Sequence, residues 1–190
     1  MRVITRDEYE PDKPGILSLI REGVVFIYPT DTIYGIGCDA TDPEAVARLR
    51  SIKQRYDKPF SVIVPSKQWI KDNCEVPAKA KEWLDKLPGP YTLILKLKNK
   101  KAVCSQVNND EENVGIRMPN HWIKEVAERL GTPIVTTSAN ITGRDFMTSL
   151  DDLDDEIANN VDFILYEGEK KARPSQIVDL THKDIKIIAR

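Results

Sequence analysis

Cysteine and histidine are scarce in this chain of 190 residues, with three of one and two of the other. The cysteines, Cys38, Cys74 and Cys104, are odd in number and far apart, which speaks against a disulfide framework or a zinc site and fits a reduced, cytoplasmic setting. Neither His121 nor His182 is placed near Cys38 by sequence, so Cys38 reads as a buried thiol rather than a nucleophile. Long hydrophobic runs are missing as well. The longest is Val24–Tyr28, and neither a membrane span nor a signal peptide is visible. Charge of one sign is also lacking: 28 Lys and Arg against 30 Asp and Glu give a formal net charge of −2. No global basic excess therefore points to nucleic acid, although a local patch is compatible with that balance. There is no internal repeat and no low-complexity segment.

Hydrophobic residues make up 41% of the chain and charged residues 31%, the balance of a soluble globular protein. The length suits one domain over residues 1–190, with enough chain to bury a core. Val24–Ala40 is the most informative stretch. Val24–Tyr28 reads as a buried strand, and Pro29 ends it because it has no N–H to donate. Thr30-Asp31-Thr32 follows where a strand hands over to a loop, a place where ligands bind in α/β sheets. Gly35 and Gly37 permit a close backbone approach. Gly35-x-Gly37-x-x-Ala40 loosely matches a dinucleotide fingerprint, but the helix cap Thr41-Asp42-Pro43-Glu44 comes after it rather than inside it, which argues against that fold.

Periodicity and punctuation predict helices over Pro14–Arg21 (with Asp12 as a cap), Asp42–Ile52, Ser66–Asn73, Pro77–Leu87, Trp122–Leu130 and Asp151–Asn159. Strands are predicted over Phe60–Val64, Tyr91–Leu97, Val114–Met118, Pro133–Thr137 and Val161–Tyr166, with Ile177–Leu180 and Ile185–Ile188 as a closing pair. Lys98–Asn113 reads as a polar, mobile loop. The acidic cluster from Asp151 to Glu156 suits the positive end of a helix better than a metal site. Short turns between several elements favour one mixed, twisted α/β sheet with flanking helices over a purely parallel one.

Polar clusters lie at or beside the strand ends: Thr30-Asp31-Thr32; Lys53-x-Arg55 with Lys58; Ser138-x-Asn140 with Arg144; and Arg117. If the ends converge, these make a cationic cleft lined with hydroxyls and amides, suited to a polyphosphate. Taken alone, Lys53, Arg55 and Lys58 also read as a solvated surface loop.

Taken together, the motifs resemble the YrdC-like threonylcarbamoyl-AMP synthases, a family that includes the YciO branch. The resemblance runs from about Gly23 to Leu180. It rests on Pro29-Thr30-Asp31-Thr32-Ile33-Tyr34-Gly35, Lys53-Gln54-Arg55, Lys58-Pro59-Phe60, Pro88-Gly89-Pro90-Tyr91-Thr92, Gly115-Ile116-Arg117-Met118-Pro119, Thr137-Ser138-Ala139-Asn140 with Gly143, and Pro174-Ser175 with Ile177–Leu180. It implies an open, twisted α/β sheet with a large positive cavity. It also implies a reaction joining L-threonine, bicarbonate and ATP, with Mg²⁺, into threonylcarbamoyl-AMP and pyrophosphate. The product would feed threonylcarbamoyladenosine formation in tRNA through a downstream transfer machinery, and double-stranded RNA is a further implied partner.

By the same resemblance, Thr32, Arg117 and Thr136 would hold threonine. Lys53, Arg55, Lys58, Ser138, Asn140 and Ser175 would hold the nucleotide, with Arg144 beside them. Lys53 and Arg55 would offset charge on the leaving pyrophosphate. Asp31 is a candidate for orienting groups or Mg²⁺, or only for fixing the turn. The Arg55–Lys58 interval is shorter than is usual in the family, and Pro174-Ser175-Gln176 is closer to the YciO branch. The presence of both Lys53-x-Arg55 and Ser138-x-Asn140 favours the synthase. The alternatives are a YciO-like paralogue with another acceptor and an RNA-binding module without this activity.

Overall fold

The computed structural model describes residues 1–188. Their strands are β1 (Arg2–Thr5), β2 (Phe26–Tyr28), β3 (Gly35–Gly37), β4 (Ser61–Ile63), β5 (Tyr91–Lys96), β6 (Asn113–Arg117), β7 (Ile134–Ser138), β8 (Phe163–Tyr166), β9 (Gln176–Asp179) and β10 (Lys186–Ile188). The helices are α1 (Arg6–Tyr9), α2 (Lys13–Arg21), α3 (Pro43–Lys53), α4 (Lys67–Asn73), α5 (Lys81–Asp85), α6 (Ser105–Asn108), α7 (Lys124–Leu130) and α8 (Asp155–Ala158). The strands form one sheet in the order β1-β8-β2-β3-β7-β4-β6-β5-β9-β10. It is mixed, as expected: β4 runs parallel to β6 and antiparallel to β7, and β5 runs parallel to β9 and antiparallel to β6.

Period-two alternation in the first buried run decides how the layers form. Val25 and Ile27 face one apolar cluster, which also holds Val46 and Leu49 of α3 and Ile157 of α8. Phe26 and Tyr28 face the other, with Ile16, Leu17 and Ile20 of α2 and Val126 of α7. Both faces are therefore covered by helices, which explains why this run shows no polar positions.

The central hairpin β2–β3 folds Pro29–Tyr34 into its turn. The glycines of β3 serve the sheet. A Cβ on Gly37 would lie 1.8 Å from the Val135 carbonyl oxygen, and one on Gly35 2.9 Å from the Tyr28 ring.

Four local expectations need correction. Lys98–Asn113 is packed: Ala102, Val103 and Val107 enter the core, and α6 makes a helical turn within it. Pro77–Leu87 is a 3₁₀ turn, Ala78–Ala80, running into the short α5. Asp151–Asn159 divides into a 3₁₀ turn, Leu150–Asp152, and α8. Asp152 and Asp154 each accept local backbone N–H bonds, and such Asx caps compete with a continuous helix. Asp12 sits at the N-cap of α2 but makes no side-chain capping bond, unlike Asp42 on α3 and Ser66 on α4.

Candidate functional site

The sheet register creates a concave floor. Ser61 of β4 lies between Thr136 of β7 and Gly115 of β6. Small residues on three neighbouring strands leave space above the sheet, and a Cβ on Gly115 would already lie 2.4 Å from Ser61 Oγ. Two connected compartments open over this floor.

The inner recess is lined by Thr32, Ser61, Thr92, Arg117, Thr136 and Ser175, among others. Its hydroxyls come from different elements and are held by one another. Thr30 Oγ1 accepts from the Thr32 backbone N–H at 3.1 Å and donates to the Ile33 carbonyl at 2.7 Å, so the turn after β2 is fixed and Thr32 is carried with it. Thr92 and Ser175 share a hydroxyl hydrogen bond of 2.8 Å across β5 and the segment before β9.

Arg117 stands at the back, its side chain only 7% exposed. Its Nη2 donates to Asp31 Oδ1 at 2.8 Å and to Thr32 Oγ1 at 3.3 Å. Its Nε, buried, has no hydrogen-bond partner among the described residues. An orphaned buried N–H of a cation is costly, and it marks a place where an acceptor is wanted. Burial pulls the Arg117 pKa down, with Asp31 acting against that as the counter-charge. Asp31 uses its other oxygen to accept the Asn120 N–H at 2.9 Å. Asp31 thus ties Arg117 to the backbone at Asn120.

The outer cleft holds about 770 Å³ and shares Ser61, Thr92, Thr136, Thr137 and Ser138 with the recess. Arg55, Lys58, Phe60 and Phe146 line it, together with the acidic Glu111 and Asp179. The volume suits a nucleotide-sized ligand. Arg55 Nη2 donates to the Pro59 carbonyl at 2.8 Å, and its guanidinium lies 5.4 Å from the centre of the Phe60 ring.

Lys53 is placed differently from a solvated loop lysine. It closes α3 and is 1% exposed. Its Nζ donates to the carbonyls of Ser138 and Asn140 and to Asn140 Oδ1. It thus lies under the turn that follows β7 and lines neither compartment. Burial, and then the positive charge of Arg55, bring its pKa down to about 7. Asn140 continues the network, with its Oδ1 accepting from Ser138 Oγ at 2.6 Å and its Nδ2 donating to the Arg144 carbonyl at 2.7 Å. The Arg144 side chain turns away to Asp154 and Glu156 on the surface, at 2.7 and 3.2 Å, outside both compartments.

The strand ends thus bring together Thr32, Arg117, Thr136, Ser138 and Ser175, with Arg55 and Lys58 at the wider mouth. Lys53 and Asn140 act from behind, and Arg144 stands apart. Thr92 and Ser61 were missed. Thr92 ends Pro88-Gly89-Pro90-Tyr91-Thr92, but nothing in its local pattern distinguishes it from a strand residue. Among the described residues no cluster of three or more His, Cys, Asp or Glu side chains could hold a metal ion. Cys38 is buried and its thiol is pushed well above its ordinary pKa by burial, which leaves it inert.

A mixed, open α/β sheet with a hydroxyl-and-arginine recess behind a nucleotide-sized cleft defines a class of small-molecule-binding α/β proteins. Within that class the chain belongs to the Sua5/YciO/YrdC family, whose profile, described as "Telomere recombination", matches residues 18–190. A protein of Methanocaldococcus jannaschii, named provisionally as a threonylcarbamoyl-AMP synthase, is 36% identical over 187 residues, covering 95% of this chain and 86% of that one. The threonylcarbamoyl-AMP synthase of Vibrio campbellii is 30% identical over 172 residues, covering 86% of this chain and 91% of that one. The structure of P. abyssi Sua5 complexed with L-threonine superposes with a TM-score of 0.87 at 28% identity, over 98% of this chain. The chain spans 56% of that Sua5 chain and 58% of a second Sua5 structure it matches. E. coli YciO shares the fold over the whole of this chain, with a TM-score of 0.85 at 24% identity.

Proposed function

We propose that this chain is a threonylcarbamoyl-AMP synthase, taking L-threonine where the inner recess opens into the outer cleft and ATP in that cleft, with bicarbonate as the source of the carbamoyl carbon. The observation that carries this is Arg117: a buried guanidinium with an unsatisfied Nε, at the back of a recess lined with hydroxyls, next to a cleft of nucleotide size. A threonine carboxylate entering the recess would pair with this guanidinium. Thr32 and Thr136 offer hydroxyls and methyls to the substrate's own hydroxyl and methyl. The amine then faces the cleft.

In the reaction, the free amine attacks carbon dioxide derived from bicarbonate, and its proton joins the hydroxide that bicarbonate releases, leaving an N-carboxylate and water. One carboxylate oxygen attacks the α-phosphorus of ATP. The bond from that phosphorus to the bridging oxygen breaks, and pyrophosphate leaves with the electron pair. Such chemistry depends on placing the two substrates in line and on offsetting charge at the leaving group. Arg55 and Lys58 line the cleft for that purpose, with Ser138 as a neutral donor, while Ser175, expected at the nucleotide, lies with Thr92 in the recess. Lys53 and Asn140 hold the turn that presents Ser138, and Lys53 adds its charge from beneath. No general base is required once the carbamate has formed.

The product would pass to tRNA threonylcarbamoyladenosine formation in the cytoplasm. No helix among the described residues is long and apolar enough to cross a membrane. Residues 1–190 are taken as one domain in this reading. The test is pyrophosphate release by the purified protein with ATP and Mg²⁺. Release should require both threonine and bicarbonate. Release that ignores threonine, or that another amino acid supports better, would replace this reading with a YciO-like activity on a different acceptor.

A further inference from the structure

Arg50 lies in the last full turn of α3, three residues before Lys53, and is 7% exposed. The apolar face of α3, with Ala45, Val46, Leu49 and Ile52, fixes the helix in the core. From that fixed base the Arg50 guanidinium reaches two separate segments. Its Nη1 donates to the carbonyls of Arg55 at 2.8 Å and Lys58 at 3.1 Å. Its Nε donates to the Gln106 carbonyl at 2.7 Å and its Nη2 to the Val107 carbonyl at 3.4 Å. Its face lies 4.6 Å from the centre of the Phe60 ring. The segment from Gln54 to Pro59 leaves α3 through a left-handed residue, Gln54 at φ 51°, and has no regular structure of its own. Its course is set at the ends by two backbone bonds, Arg55 N–H to the Arg50 carbonyl and Phe60 N–H to the Val107 carbonyl. Between them, the two carbonyls that Arg50 holds belong to Arg55 and Lys58, the two cations that line the outer cleft.

All four acceptors are neutral carbonyls. Among the described residues no carboxylate forms an ion pair with Arg50, and Asp57 acts on it only through space. The carbonyls solvate the guanidinium without cancelling its charge, so a full positive charge persists beneath the loop that faces the cleft.

We infer that Arg50 is a positioning residue for nucleotide use: it shapes the loop that presents Arg55 and Lys58 and adds its own charge to their field. This rests on the reading that the outer cleft takes the nucleotide. A planar fork with several donors is needed to span four carbonyls on two segments, which a lysine cannot do. Displacing a loop that aligns a phosphate by an ångström is enough to cost large factors in turnover.

The test compares Arg50→Lys, Arg50→Met, Arg55→Ala and the double variant Arg50→Met/Arg55→Ala by steady-state pyrophosphate release, with ATP and threonine varied separately. Arg50→Met should raise the ATP constant about tenfold or more and leave the threonine constant within about twofold. Arg50→Lys should fall between it and the wild type, because the charge remains and the fork is lost. The double variant should lose less than the product of the two single losses, since part of what Arg50 does is done through Arg55 and the rest through Lys58 and its own charge. If Arg50→Met does not fold, Arg50→Lys still decides the matter by the same split between ATP and threonine constants. Wild-type ATP use in Arg50→Lys, equal losses for both substrates, or fully multiplicative losses in the double variant would overturn the assignment while Arg55→Ala still loses ATP. An Arg55→Ala protein with an unchanged ATP constant would instead remove the nucleotide reading of the cleft, and the role of Arg50 with it.

Discussion

Arg117→Lys keeps the charge in the recess and loses the planar fork, so the substrate carboxylate and Asp31 can no longer be served together. The apparent threonine constant should rise about tenfold or more, with the ATP constant nearly unchanged, since a lost charge-assisted contact costs roughly 1.5–3 kcal/mol. A rise in the ATP constant with threonine unaffected would assign Arg117 to the nucleotide. Thr32→Val removes one hydroxyl and keeps the shape. Its threonine constant should rise roughly three- to tenfold, and stability should fall by about 1 kcal/mol, because the same hydroxyl accepts from Arg117 Nη2 and pairs with Thr30. Wild-type threonine affinity in that variant would make the turn after β2 scaffold only.

Lys53 supplies a pH prediction. Its pKa in the free protein is lowered to about 7, first by burial and then by Arg55. A polyphosphate nearby raises it, so nucleotide binding takes up a proton. The linked gain in affinity is complete below the free-protein value and is lost as pH rises through the raised, bound-state value. The ATP dissociation constant, measured by calorimetry between roughly pH 6 and pH 9, should therefore increase with pH, and less steeply in Lys53→Met. A flat wild-type profile would show that the Lys53 proton is not linked to the nucleotide.

At the scale of elements, β3 carries the sharpest constraint. Gly37→Ala would set a Cβ against the Val135 carbonyl, which also accepts the Tyr28 hydroxyl at 2.8 Å. Backbone on both sides leaves no side chain free to yield, so the substitution should lower stability by roughly 3 kcal/mol or more, read from the denaturant midpoint. A midpoint like that of the wild type would mean that β3 and β7 can separate at no cost.

The same strand shows where local sequence signals fail. Gly-Ile-Gly has little intrinsic strand preference and forms β3 because β2 and β7 claim its backbone. Long apolar runs such as Val24–Tyr28, and helices with a clear cap and one apolar face such as α3, were legible. Lys98–Asn113 was not, because its polar composition hides three residues, Ala102, Val103 and Val107, that the core recruits. β1 and α1 are announced only by a four-residue strand and a Thr5–Glu8 capping box, both too short for periodicity to register.

At the scale of the whole molecule, what brings the site together is the order of the strands. Thr32, Arg117, Thr136 and Ser175 are separated by as much as most of the chain, yet β3, β7, β4, β6 and β5 lie side by side and set them around one recess. The motifs named most of these residues because each sits at a strand end or beside it. They could not separate a side chain that faces the cleft from one that holds the cleft's wall. Lys53 and Arg50 differ from a surface lysine and arginine only in what the folded chain places around them, which is carbonyl oxygen rather than water.

The central claim is tested most directly by mass spectrometry of the product formed from ATP, L-threonine and carbon-13-labelled bicarbonate. A nucleotide adduct with the mass of threonylcarbamoyl-AMP should accumulate with the protein present. It should carry the labelled carbon, and it should vanish with Arg55→Ala or when threonine is withheld. Formation of AMP or pyrophosphate with no labelled adduct, at equal protein and with prompt quenching, would contradict it.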